Sequence, residues 1–259
     1  MASSKAEPRR HLVIPDCQDG PDRPKDHLRW AGKYIAEKRP DVVVQLGDLG
    51  DFGSLSSYDK GKKTIEGKRL SADWDSFRRA VDELEKPFER CNGYRPRKVY
   101  TAGNHEQRVQ RYHVDNPQLD TLPDTLGYMR SRGWEVHPYL GIAEVDGVHY
   151  SHLFARTSTG RVTDSSQRFG APTAIAQAKA NMMTCVAGHK PGFDYALLPA
   201  HNHTIHSLIA GSFYPWAEEY MTVQGNSYWR GILMLHEVRG GEFDLMQVSL
   251  NYLKRKFGK

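Results

Sequence analysis

Apolar positions along the chain keep two different periods, and the change from one to the other marks out its elements. Residues 11–15, "HLVIP", form a short apolar run that leads into a polar loop and reads as a strand. Over residues 26–37, Leu28, Ala31, Tyr34 and Ile35 return at helical spacing, with Asp26 placed to cap the N-terminus. Residues 41–48, "DVVVQLGD", are apolar almost without a break, as in a strand buried on both faces. Residues 71–89 put Trp74, Phe77, Val81, Leu84 and Phe88 on one stripe, with Ser71 as the cap. Residues 98–103, "KVYTAG", read as a third strand. Strand and helix therefore alternate over residues 11–103, which predicts a parallel sheet with helical cover.

The second half has a shorter period. "WEVHPY", "IAEV", "VHYSHLF", "MTCVAGH", "FDYALL", "TIHSLIAGSF", "WRGILMLHEV" and "EFDLMQVSL" read as strands. Turns such as Asp146-Gly147 and Gly240-Gly241 join some of them. One helix, "APTAIAQAKANM" (171–182), interrupts the run. No linker or repeat is present. The expectation is an α/β chain with a solvated, disordered tail over residues 1–10 and a single domain over 11–259. Its first sheet would be βαβ-like and its second mostly antiparallel.

Composition changes this picture little. Hydrophobic residues make up 39% of 259, enough for a packed core. No apolar run reaches the ~18 residues of a membrane span, and "MASSKAEPRR" lacks the apolar stretch of a secretory signal. Cys17, Cys91 and Cys185 are odd in number and widely spaced, which suits a reducing cytoplasm better than a disulfide framework. A formal charge of +5 permits an anionic partner such as nucleic acid or a nucleotide without demanding one.

The informative residues follow the predicted strands. In open α/β sheets, ligands bind at the carboxyl ends of the strands. After 11–15 come Asp16 and Gln18, and after 41–46 come Asp48 and Asp51. After 98–102 come Asn104, His105 and Glu106, while His152 ends "YSH" and His189 follows Gly188. Each alone has an ordinary explanation as a turn former, a cap or a satisfied core histidine. Together, five strand ends deliver carboxylates, amides and imidazoles to one edge, a donor set suited to two divalent metals such as Mn, Fe or Zn.

These residues resemble the calcineurin-like metallophosphoesterase superfamily, whose pattern runs D-x-H, GDxxD, GNH(D/E), a lone His, and GHxH. The chain shows "DCQ" (16–18), "GDLGD" (47–51), "GNHE" (103–106), "YSH" (150–152) and "GHK" (188–190). The resemblance implies a two-sheet α/β/β/α sandwich of the metallophosphoesterase type. It implies that Asp48 bridges two metals, that Asn104, His152 and His189 complete one of them, and that Asp16 and Gln18 hold the other. It further implies a metal-bound hydroxide as nucleophile, His105 as proton donor to the leaving oxygen or holder of the phosphoryl group, and Asp51 as the carboxylate that orients His105.

The chain departs from the pattern twice. Gln18 stands where the first motif usually has His, and Pro191 where GHxH ends in His. Asp194, His201, His203, His206 or water are the candidates to fill the gap, and the branch resembling Mn-dependent ADP-ribose phosphatases also reads D-x-Q. Phe52 follows GDxxD where the protein serine/threonine phosphatases usually have Arg. A basic loop over residues 54–70, with Lys60, Lys62, Lys63, Lys68 and Arg69, offers phosphate contacts or is simply solvated. Arg108, Arg111, Arg156 and Arg161 lie near the motifs in sequence. Tyr58, Phe213, Tyr214, Trp216, Tyr228 and Trp229 are either stacking surfaces for bases or core. The expectation is a metal-dependent phosphoesterase acting on a phosphodiester, nucleic acid or nucleotide. A phosphomonoesterase, a metal-poor scaffold on the same fold, and a non-hydrolytic nucleic-acid binder are the alternatives.

Overall fold

The structure is a computed structural model that describes residues 7–57, 59–119, 123–154, 173–217 and 226–258. Strands β1 (Arg9–Ile14), β2 (Val42–Gln45), β3 (Arg97–Thr101) and β4 (Glu135–His137) run parallel. Two later strands, β10 (Gly231–Arg239) and β11 (Glu242–Ser249), add antiparallel on the far side of β1. The order of this sheet is β11-β10-β1-β2-β3-β4. Helices α1 (Asp26–Lys38), α2 (Leu70–Glu89), α3 (Glu106–Asp115) and α4 (Thr125–Ser131) lie in the connections between its parallel strands. Helix α6 (Leu250–Phe257) follows β11.

The second sheet holds β5 (Ala143–Val145), β6 (Val148–Ser151), β7 (Cys185–Ala187), β9 (Thr204–Ala210) and β8 (Phe193–Pro199), in that order. Helix α5 (Ala174–Asn181) packs on its outer face. The layers are thus α/β/β/α, as the resemblance implied. The near-continuous apolar runs serve two cores at once. Leu12, Ile14 and Val43 face the α1–α2 layer, while Val13, Val42 and Val44 meet Tyr150, Val186 and Leu208 of the other sheet. Alternate residues of a strand point to opposite faces, so a strand with a core on each side has no polar face to show.

Four expectations need correction. The second sheet is evenly mixed, since β6–β7 and β7–β9 pair in parallel and β5–β6 and β8–β9 antiparallel. The β6-to-β7 connection carries α5, which gives the chain the length that a parallel crossover needs. Strands β4, β10 and β11 also join the first sheet, not the second. Order begins inside the expected 1–10 tail, where Arg9 pairs with Val238 and its guanidinium reaches Asp146 at 3.2 Å. Neither Asp26 nor Ser71 caps its helix. Both fall within the first turn, behind Lys25 and Arg69, and neither cap residue makes a side-chain cap bond. No helix among the described residues is long and apolar enough to cross a membrane.

Candidate metal centre

The site stands on the carboxyl ends of β1, β2, β3, β6 and β7. Asp16 follows β1, Asp48 follows β2, Asn104 and His105 form the turn between β3 and α3, His152 follows β6 directly, and His189 comes two residues after β7. Backbone bonds stitch these ends together. Cys17 N and Gln18 N both donate to Asp48 O, at 3.0 and 2.8 Å, and Gly188 N donates to His152 O at 3.1 Å.

The turns are tight. Gln18, Asp48 and His189 have φ of 45°, 48° and 67°, in the left-handed region that L-residues seldom occupy. Strained residues of this kind cluster at functional sites. Two motif glycines are needed for clearance. A Cβ on Gly103 would lie 2.0 Å from Asp48 Oδ1, and one on Gly188 would lie 2.7 Å from Asp16 Oδ1.

Four side-chain atoms converge. Asn104 Oδ1 lies 3.0 Å from His152 Nε2 and 2.8 Å from His189 Nδ1, and the two ring nitrogens are 3.2 Å apart. Asp48 Oδ2 is 3.5 Å from His152 Nε2. One atom each from Asp48, His152 and His189 falls within 4.8 Å of the others. His152 Nδ1 donates to Leu46 O at 2.7 Å, so in the neutral ring Nε2 presents a lone pair to this cluster. Burial lowers the His152 pKa to about 4, which keeps the ring neutral. Lone pairs and a carboxylate facing one another are the chemistry of a cation site, and this donor set fits a divalent metal.

Asp16 and Asp48 make the same case with charge. Both are fully buried. Burial and the Asp48 charge push the Asp16 pKa well up. Burial also opposes the charge of Asp48, but the His105 charge and the His105 backbone N–H that Asp48 accepts outweigh it and hold its pKa down. The two shifts run in opposite directions, as they do for carboxylates that share a buried site. Asp16 Oδ1 accepts from His189 N at 2.9 Å, so the two halves of the site are joined directly.

His105 packs against Asp51. Its Nδ1 lies 2.8 Å from Asp51 Oδ1 and 3.0 Å from Asp51 O, and its Nε2 is 3.6 Å from Asp48 Oδ2. Burial opposes the imidazolium, yet the Asp48 and Asp51 carboxylates prevail and raise the His105 pKa. In return, His105 and Arg108 overcome burial and lower the Asp51 pKa to about 2. Arg108 Nη1 donates to Asp51 O at 2.8 Å, and its Nη2 lies 3.3 Å from His105 Nε2.

Other candidates fall elsewhere. Lys62 and Lys63 are exposed on a 3-10 turn of the basic loop, and it is Lys68 whose Nζ lies beside Gly53 and whose charge reaches Asp51. Asp194 accepts from Ala174 N at 2.6 Å, and His206 meets Tyr195 Oη at 2.8 Å. His201 and His203 lie in the β8–β9 turn, at the amino end of β9 and away from this edge. Pro191 contributes a carbonyl that accepts from Ser212 Oγ at 3.3 Å. Phe213 and Tyr214 are core. Tyr58, Arg156 and Arg161 lie outside the described residues.

The sequence places Glu106 at a strand end without indicating a role. Glu106, fully buried, accepts from Asp48 N and Gly103 N at 2.9 Å through Oε2 and from Gly50 N at 3.2 Å through Oε1. It ties the GDxxD loop to the GNHE loop. Its place in the GNHE motif was the available signal.

Residues 9–172, the stretch that carries every strand end here except the last, match the calcineurin-like phosphoesterase family. The chain belongs to that family. Its members are metal-dependent and hydrolyse phosphoesters. The gene 54 protein of Mycobacterium phage L5 is 31% identical over 105 residues, which span 40% of this chain and 38% of that protein. One solved structure is 15% identical with a TM-score of 0.45, covering 93% of this chain and 100% of its own. TT1561 of Thermus thermophilus is 10% identical with a TM-score of 0.38, covering 93% and 99% respectively.

Proposed function

We propose that the chain hydrolyses phosphodiesters of nucleic acid or nucleotides, in preference to monoesters, at a dinuclear metal centre on this edge. The convergence of Asp48 Oδ2, Asn104 Oδ1, His152 Nε2 and His189 Nδ1 carries the reading. These four would hold one ion, and Asp16, Gln18 and Asp48 the other, with Mn, Fe or Zn suiting the O and N donors. When bound, such ions polarise phosphoryl oxygens and neutralise the charge that develops on them.

The chain's own groups do the rest. Asp51 accepts from His105 Nδ1 and fixes the ring, so that Nε2 is the atom able to give a proton to the leaving oxygen. Arg108 brings a second positive charge to within 3.3 Å of that nitrogen, placed to hold a phosphoryl oxygen. Glu106 holds the Asp48 and Gly103 backbone in register. The basic pI of about 9.0, Arg108 and Lys68 favour a polyanionic or diester substrate. Pro191 favours one competing reading, a metal-poor scaffold, because it removes an imidazole from the first ion. The buried Asp16–Asp48 pair opposes that reading, since it has no use without a cation.

The test is hydrolysis of bis-p-nitrophenyl phosphate against p-nitrophenyl phosphate in Mn. Faster cleavage of the diester supports the proposal, and faster cleavage of the monoester assigns a monoesterase. Cleavage of neither with any divalent metal returns the scaffold.

A further inference from the structure

A second concave region lies on the helical side of the first sheet. It encloses about 610 Å³ between α1, residues 226–230 and the start of α6. This is within the range of small-ligand sites. None of its lining residues is a candidate metal ligand.

Its chemistry is that of flat rings beside positive charge. Tyr228 lines it together with Trp30, which is only 9% exposed, and Trp229, whose ring also packs on Phe193 at 5.3 Å. The Arg230 guanidinium sits 4.8 Å from the Tyr228 ring and 5.2 Å from that of Tyr214. Among the described residues its hydrogen bonds are long, at 3.5 Å to Asn226 Oδ1 and 3.4 Å to Tyr228 Oη, and its Nε is buried without a partner. Lys254 also lines the region. Neither cation has a carboxylate partner among the described residues. Asp26 is the one acidic residue among those lining the cleft, and it already pairs with Arg29. The first turn of α6 adds the positive end of a helix dipole beside these cations.

We infer that this cleft binds a nucleoside phosphate unit, the base against the aromatic rings and the phosphate on Arg230 and Lys254. Bases stack on aromatic faces whatever their identity, and a guanidinium matches phosphate oxygens in pairs. Cations with no carboxylate partner among the described residues, set beside rings, suit an anion joined to a planar group, and a nucleotide is both. The unit can be a free nucleotide or one residue of a single strand. Ser212 bridges Asp16 on one side and Arg230 on the other, so one buried backbone residue lies between the metal edge and Arg230. The binding does not require hydrolysis.

The experiment is calorimetric titration of the metal-stripped full chain with AMP and with a single-stranded deoxyadenylate hexamer, together with Trp emission. Metal removal keeps the outcome separate from that of the phosphoesterase reading. Binding of AMP assigns a free nucleotide, and tighter binding of the hexamer assigns a strand. With either probe, Lys254→Glu, an exposed position, should weaken binding about tenfold, and Arg230→Gln at least as much. Lys179→Glu on the opposite helical layer should leave it unchanged. No binding of either probe would overturn the inference, as would equal affinity in the parent, Lys254→Glu and Arg230→Gln.

Discussion

Glu106 Oε2 lies 2.9 Å from the backbone nitrogen of Asp48 and accepts its N–H. The carboxylate of one motif thus positions the main metal-ligand candidate of another, 58 residues away. Glu106→Gln turns an amide N–H₂ toward backbone donors that have nowhere else to bond. A buried donor left unsatisfied costs about 1–3 kcal/mol. Urea titration should show a loss of that size, with metal content falling alongside it. Unchanged stability would show that these loops hold themselves.

His105→Ala should lower turnover ~10²–10⁴-fold while leaving bound metal in place. The loss should shrink for esters with good leaving groups, which need no proton. Asp51→Asn should lower the rate less, because it removes the charge beside Nδ1 but keeps an oxygen there. Equal losses for good and poor leaving groups would take the proton-donor role from His105 and leave only phosphoryl positioning.

The layers and five of the strand ends were legible because strand burial and strand-end chemistry are written locally. "DVVVQLGD" announces a strand with a core on each face, and the residues after it are those that reach the edge. What escaped is set by contacts distant in sequence. Nothing in "GNHE" says that Glu106 turns inward to three backbone N–H groups. Nothing in the "WRGILMLHEV" run says that β10 adds to β1 and not to the second sheet. Asp26 and Ser71 carry good capping side chains, yet the caps fall one residue earlier at Lys25 and two residues earlier at Arg69. The left-handed φ of Gln18, Asp48 and His189 follows from packing five strand ends together, and no residue preference signals it. The cleft between α1 and α6 needs the two ends of the chain to meet.

His27 sits fully buried against Phe213 and Trp216, with neither ring nitrogen bonded among the described residues. Burial lowers its pKa to about 3. The unfolded chain takes up that proton near pH ~6.5, so below this the unfolded state binds more protons and stability falls with pH until about 3. The slope contributed is on the order of 1 kcal/mol per pH unit. Denaturation between pH ~5 and ~7 should show a shallower dependence in His27→Phe than in the parent. Parallel curves would mean that His27 takes no part.

The most direct test of the metal centre is a titration of the stripped protein with Mn, followed by calorimetry and elemental analysis, in the parent and in Asp48→Asn. One half of the site has a full set in Asp48, Asn104, His152 and His189. The other has Asp16, Asp48 and Gln18, with Pro191 in place of an imidazole. The parent should therefore bind one ion tightly and a second loosely, and hydrolysis should appear only as the second fills. Asp48→Asn should lose most of both, because an amide cannot supply charge to either. Two ions bound at parental affinity in Asp48→Asn, or activity that persists with no metal bound, would contradict the account.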